Sequence, residues 1–405
     1  MKGGVGEHAL IQAFNGRANA TFTINPMLAT FSGDRQVYSP WLNSLVGPDL
    51  IPLFFAAQGA KLRNVDNFVN VTHVWHELGF EDDALDIAKT ASMGDDGAYY
   101  GIPILGDAEL CMYNRRVVED ELGLAAPTTF SELKRLCAAV KATGRTCLAA
   151  QELPFVPPTV LFDFLFITMH GNSAYVEFFE GNISFTDPRV NNTLAEVLNL
   201  LELGYIEPNR AFEPPNHYLV ADLASDDVVI GCGMESTRFF AVERGLNASD
   251  IVTFYWPTYD GLRGSRPVGE PTDATIGLLV NLGIPQSSAY KNEALEYLRY
   301  AGCRDVQAEL LGKLGGAYPI RKSLQYLVGD SLAAKQATSS KVFRLNTFVG
   351  FGVARLGLRW SSAISEMLLA PTPAAANAAV VDNLESFEID RQRLVHLQTL
   401  PPTTN

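Results

Sequence analysis

The chain has 405 residues, 47 % of them hydrophobic and 19 % charged, and 45 acidic against 31 basic side chains leave a net charge of −14. This composition is globular, and the length exceeds what a single core fills, so two lobes are expected. The acidic balance excludes nucleic acid and anionic membranes as partners, because phosphate binding needs clustered Lys and Arg.

No apolar run reaches the roughly 18 residues that a bilayer span needs. The opening "MKGGVGEHALIQAFNGR" shows no apolar core of a secretory signal. "HALIQAFN" places Ala9, Leu10, Ala13 and Phe14 at helical spacing, and "ATFTINP" alternates around Phe22 and Ile24 as a strand does. "GPDLIPLFFAAQGAKL" reads as a turn, a strand and then a helix. "AYYGIPI" and "AELCMYN" read as two short strands, and the second runs straight into helical sequence.

Two helices are fully punctuated. In "TTFSELKRLCAAVKATG", Thr129 and Glu132 make a capping box, Phe130, Leu133, Leu136, Cys137 and Val140 form one face, and Gly144 ends the helix. In "DPRVNNTLAEVLNLLELGYIEP", Asp187 caps, Pro188 takes the first helical position and Gly204 closes. "DDVVIGCG", "IVTFYW" and "ATIGLLVNLGIP" are short apolar runs that suit strands covered on both faces. "YKNEALEYLRYAG" and "CRDVQAELLGKLGG" are helices. Strands separated by helices predict an α/β architecture with open, largely parallel sheets.

No GxSxG elbow and no Walker A loop occurs, and "GGVGEH" lacks the preceding strand and the last glycine of a dinucleotide fingerprint. His73 and His76 share a helix face without an identifiable third ligand, so a surface or packed pair is expected and no metal or other cofactor. The five cysteines show no CxxC spacing; Cys137 and Cys147 pair in an oxidising compartment or stay buried thiols. Asn-x-Ser/Thr triplets start at Asn19, Asn70, Asn182, Asn191 and Asn247, a hint of a secretory route in a eukaryotic host. Tyr38, Trp41, Trp256, Tyr259 and Tyr318 stand in loop-like contexts. Aromatic faces with nearby carboxylates are the chemistry of sugar binding: the ring packs on the pyranose and the acids bond its hydroxyls.

Residues 95–144 resemble the family 1 extracellular solute-binding proteins, the sugar-binding components of ABC importers. The likeness rests on Tyr100-Gly101-Ile102-Pro103, Tyr113-Asn114, Gly123-Leu124 and Pro127 through Leu133. It continues at "VGPDLIPL", "DDVVIGCGMEST", "IGLLVNLGIPQSSAYKNEALEYLRY" and "LLGKLGGAYPIRKSL", and covers about residues 7 to 390. It implies a two-lobed periplasmic-binding-protein-like fold: residues 1–108 with 258–316 as lobe one, and 113–254 with 320–405 as lobe two. Hinge crossings fall near 109–113, 255–257 and 317–320, with ligand held between the lobes. The family's first strand has no counterpart here, so the resemblance implies a lobe-one sheet lacking that strand and a truncated chain. Its Gly-x-Trp segment reads Gly233-Met234-Glu235, exchanging an aromatic for a carboxylate.

The implied function is non-enzymatic, extracytoplasmic binding of a small polar ligand, a sugar or polyol, with permease subunits as partners. Trp41, Trp256, Tyr259 and Tyr318 are the stacking candidates. Asp107, Glu109, Glu235 and Arg238 are the polar ones, and Phe155 lines the far wall. Two alternatives remain at this stage: the ectodomain of a membrane receptor, and a glycoside-acting enzyme using Asp107 and Glu109.

Overall fold

The computed structural model describes residues 5–17, 21–24, 47–53, 57–58, 61–62, 65–149, 159–179, 182–206, 226–235, 245–265, 274–313, 318–329, 331–339 and 342–344, with scattered positions among 223–242 and 360–392. The chain divides into two compact units, Met1–Ala108 with Thr275–Arg344, and Glu109–Ala274 with Leu345–Asn405. Sequence reading placed the later passages near 255–257 and 317–320; the division instead falls after Ala274 and after Arg344. Trp256 and Tyr259 pack on helices of the second unit, and Tyr318 pairs with a strand of the first.

Helix α1 (Val5–Asn15) turns Leu10 and Phe14 inward, and Phe14 meets Tyr297 and Tyr300 edge-on at 5.1 and 5.2 Å. Residues 21–24 join no ladder, against the strand predicted there. The side chain of Asn15 takes both backbone groups of Ile24, donating to its carbonyl at 2.9 Å and accepting its N–H at 2.8 Å. Strand β1 (Ile51–Pro52) is followed by β2 (Ala57–Gln58) and β3 (Lys61–Leu62), which pair antiparallel where a helix was predicted. Gly59 lies between them in sequence, a residue that weakens helices and favours reversals. Helices α2 (Thr72–Glu77), α3 (Phe80–Asp83) and α4 (Asp86–Ser92) bury Val74, Trp75, Phe80, Ile87 and Ala88. Trp75 stacks on Tyr99 with centroids 3.9 Å apart and donates to the Gly101 carbonyl at 2.6 Å.

The two predicted strands at 98–114 are one, β4 (Gly101–Asn114), interrupted only by a register shift between Pro103 and Leu105. Pro103 has no N–H to give the ladder, which accounts for the slip. A wide helical turn, Arg116–Glu121, leaves the strand, and the Tyr113 hydroxyl reaches forward to Glu119 at 2.6 Å.

Helix α5 (Phe130–Ala142) forms as its punctuation dictates. Thr129 and Glu132 close a full capping box, and Gly144 takes a φ of +83°, the left-handed conformation that suits glycine. Strand β5 (Thr146–Leu148) follows, then α6 (Thr159–His170), α7 (Asn172–Phe179) and α8 (Pro188–Glu202). Asp187 caps α8 through the Arg189 N–H at 2.8 Å. Helix α6 is buried nearly all round; Phe162 and Phe166 meet Phe178, and Phe162 meets Trp360. Strands β6 (Val228–Met234) and β7 (Ile251–Phe254) complete this segment.

Strand β8 (Ala274–Gly283) leads to α9 (Lys291–Gly302), α10 (Arg304–Lys313), α11 (Leu332–Ser339) and β9 (Val342–Arg344). In the first unit β8 lies between β1 and the first part of β4, with β9 also on β8. In the second unit the rest of β4 pairs with β6 and β7, and β6 carries β5 on its other side. The pairings of β4 with β6, β7 and β8, and of β1 with β8, are antiparallel, while β5–β6 is parallel. The expected largely parallel sheets are therefore corrected: apolar runs report that both faces are covered, not which way the neighbour runs.

Arg321 locks the first unit. Its guanidinium pairs with Asp83 at 2.9 Å, donates to the Leu78 and Gly302 carbonyls at 3.0 and 2.8 Å, and lies 3.9 Å over the Phe80 ring. Two helix C-termini are thus closed by one buried cation.

Candidate functional site

Strand β4 carries two of the four predicted polar residues, Asp107 and Glu109. Gly106 and Asp107 belong to the part paired with β8, and Gly277 of β8 is the residue opposite Ala108. A β-carbon at Gly277 would strike the Asp107 carbonyl, so only glycine lets the two backbones approach so closely. Tyr318 lies against Gly106, its N–H donating to the Gly106 carbonyl at 2.8 Å and its carbonyl accepting the Gly106 N–H at 3.1 Å. The structure thus brings Asp107 and Tyr318 together within the first unit. Burial first, and the negative Asp107 second, push the Tyr318 phenol far above its ordinary pKa.

In the second unit Glu109 stands opposite Met234 on β6, and Glu235 follows directly. Both carboxylates are buried, at 1 % and 2 % exposure. A disulfide between Cys111 and Cys232, opposite one another on β4 and β6, pins this register two residues away. The Arg238 N–H donates to the Glu235 carbonyl at 3.0 Å, but its guanidinium turns to the Ala248 carbonyl at 3.3 Å. Arg238 therefore holds the backbone around Glu235. A second disulfide joins Cys137 of α5 to Cys147 of β5, and Cys303 is a free thiol.

Trp256 and Tyr259 form a different cluster. Trp256 stacks on Phe164 at 5.4 Å with planes 7° apart and is 7 % exposed. Tyr259 packs on Phe130 at 5.4 Å and donates its hydroxyl to Glu196 at 2.8 Å. Arg263 reaches the same carboxylate at 3.3 Å and Lys134 approaches its other oxygen at 3.8 Å. Burial and then the hydrogen bond to Glu196 raise the Tyr259 pKa. Both rings sit in the packing of α5, α6 and α8, as continuation of the Phe254 stripe requires. Glu196 was missed in the sequence, although its spacing from Thr193 and Leu200 puts it on the buried face of α8.

Trp41 and Phe155 lie outside the described residues. His73 and His76 are both exposed on α2, and no group of three or more His, Cys, Asp or Glu among the described residues is placed to hold a metal. No helix among the described residues is long and apolar enough to cross a membrane.

The chain is mixed α/β in two units, and strand β4, which runs from the first into the second, carries the buried acids Asp107 and Glu109. The sequence profile of the bacterial extracellular solute-binding proteins matches residues 9–337, and the chain belongs to that family. No curated protein sequence matches it. Among solved structures it is similar to a chitin oligosaccharide binding protein, with TM-score 0.75 and 19 % identity over 96 % of this chain and 94 % of that one. It is also similar to a protein of xylan utilization from Caldanaerobius polysaccharolyticus (TM-score 0.74, 16 % identity, 93 % and 95 % covered). Maltose-bound MalE3 of T. maritima is a third (TM-score 0.72, 13 % identity, 95 % of each chain). At these identities the likeness establishes the two-lobed periplasmic-binding-protein fold.

Proposed function

We propose that the protein captures a small carbohydrate outside the cytoplasm and delivers it to the membrane permease subunits of an ABC-type importer. The observation that carries this reading is agreement over nearly the whole chain with structures whose names specify chitin oligosaccharide, xylan utilization and maltose. Family membership supports the extracytoplasmic place, and the two disulfides suit an oxidising compartment. In the second unit Glu109 on β4 and Glu235 just after β6 supply acceptors for sugar hydroxyls, and in the first unit Asp107 supplies one. In the proposed role these carboxylates only bind, and the sugar leaves unchanged.

The test is isothermal titration of the purified chain with galactose, maltose, laminaribiose and N,N′-diacetylchitobiose, with glycine and glutamate as controls. A carbohydrate ligand raises folded-state stability by about 2.7 kcal/mol at 100 times its dissociation constant, and chromatography recovers it intact. Binding of the amino acids alone, or recovery of cleaved disaccharide, refutes the reading.

A further inference from the structure

We propose that Tyr318 is a ligand contact of the first unit: its phenolic hydroxyl donates a hydrogen bond to a hydroxyl oxygen of a neutral sugar. The inference rests on the carbohydrate reading above and adds to it the charge class of the ligand and a residue that selects it.

The ring is held rigidly. Tyr318 exchanges both backbone hydrogen bonds with Gly106, and the ring lies so close over that residue that a β-carbon there would run into Cζ and the hydroxyl oxygen. One face of the ring is therefore occupied, which replaces the stacking role expected from the sequence with an edge-on polar one. Tyr318 is fully buried, yet its hydroxyl has no hydrogen-bond partner. Buried polar groups are nearly always paired, and one left alone carries the whole desolvation penalty.

Three other tyrosines pair their phenols with carboxylates. Tyr100 donates to Asp96 at 2.7 Å, Tyr113 to Glu119 at 2.6 Å and Tyr259 to Glu196 at 2.8 Å. Phenylalanine at 318 would fill the same volume without the unpaired oxygen. A rigid donor kept unpaired in the protein is explained when the partner comes from the ligand.

The neighbouring charge sets the ligand class. Burial and then the Asp107 carboxylate favour the protonated phenol, so Tyr318 presents O–H at neutral pH. That same carboxylate repels an anion, so the group received is a neutral hydroxyl rather than a uronic acid. Because Tyr318 has no exposed surface, the hydroxyl it meets is enclosed.

The experiment is Tyr318→Phe, read by thermal unfolding without ligand and by titration with galactose, maltose, laminaribiose, N,N′-diacetylchitobiose and galacturonate. The expected result is an unfolding midpoint equal to or above wild type, together with about tenfold weaker binding of the best neutral sugar. Galacturonate binds wild type more weakly than galactose does. Unchanged affinity in Tyr318→Phe overturns the Tyr318 contact while leaving the carbohydrate reading standing. A lowered midpoint, or a variant that does not fold, shows that the hydroxyl is structural and overturns it too. Galacturonate binding more tightly than galactose overturns the neutral-ligand assignment. If wild type binds none of the sugars, the carbohydrate reading itself falls and this inference falls with it.

Discussion

Removing the Cys111–Cys232 disulfide tests the second unit most directly. The two cysteines are 121 residues apart in sequence, and Cys137 and Cys147 only 10. Loop-closure entropy grows with the logarithm of the closed length, so the long bridge stabilises by about 5 kcal/mol and the short one by about 3 kcal/mol. Domains are stable by only about 5–15 kcal/mol in all, so losing the long bridge brings the second unit near its unfolding limit at room temperature. Both bridges lie in the second unit, while the first contains only the free Cys303. Calorimetry on Cys111→Ala/Cys232→Ala therefore shows one lowered transition and one unchanged, with a smaller drop for Cys137→Ala/Cys147→Ala. Thiol titration of the unreduced, unfolded wild type yields one reactive group. Five reactive thiols, a shift of both transitions together, or a larger loss from the short bridge refutes the reasoning.

Arg321→Met removes the cation that closes two helix ends and pairs with Asp83; chemical denaturation of the first unit shows a loss of about 3 kcal/mol, and a loss below about 1 kcal/mol contradicts the lock. Trp256→Ala leaves a cavity against Phe164 and destabilises the second unit by about 3–5 kcal/mol, with sugar affinity per folded molecule unchanged. His170 is held neutral chiefly by burial, which lowers its pKa to about 4; it takes up a proton in the unfolded chain below about pH 6.5 but not in the fold. Stability from this group is thus complete above pH 6.5 and declines as pH falls towards 4, by about 2 kcal/mol once solvent screening is allowed for. His170→Gln should flatten that part of the pH–stability curve, and an unchanged slope refutes the assignment.

Local chemistry was legible in the sequence where a few neighbouring residues decide the outcome. The capping box at Thr129 and Glu132, the proline start at Pro188 and the glycine stops at Gly144 and Gly204 all act within one or two helical turns. Strand β4 was not legible as one element, because both its faces are covered and its sequence shows no alternation to follow. Strand direction was missed for the same reason. Cys137 and Cys147 are close enough in sequence to suggest a bridge, whereas Cys111 and Cys232 meet only through the register of β4 on β6. The carboxylates Asp107 and Glu109 stood out as neighbouring acids on a strand-like run, and Glu235 only through the family's Gly-x-Trp segment. Trp256 and Tyr259 stood out as loop aromatics, but Phe164 and Phe130, far apart from them in the chain, draw them into packing. Arg321 lies in the segment that carries the family resemblance, yet nothing in its neighbourhood announces Asp83 or the helix ends it closes.

Two buried polar side chains, Glu196 and Tyr318, show how the same cost can be met in opposite ways. Glu196 is a buried acid on α8, and Tyr259, Arg263 and Lys134 all turn to it. One oxygen of Glu196 accepts from both the Tyr259 hydroxyl and the Arg263 guanidinium, which commits the acid to the fold: replacing it strands a phenol and weakens two ion pairs, and stability falls. Tyr318 is answered by nothing, though its backbone is fixed on both sides by Gly106. Removing its hydroxyl relieves a penalty of about 1–3 kcal/mol and strands nothing. A substitution that strengthens the empty protein while weakening its complex is the signature of a group kept for the ligand. Burial alone does not separate these two residues; the Tyr259–Glu196 hydrogen bond does. Glu196 therefore belongs to the structure of the second unit, and Tyr318 to the work of the first.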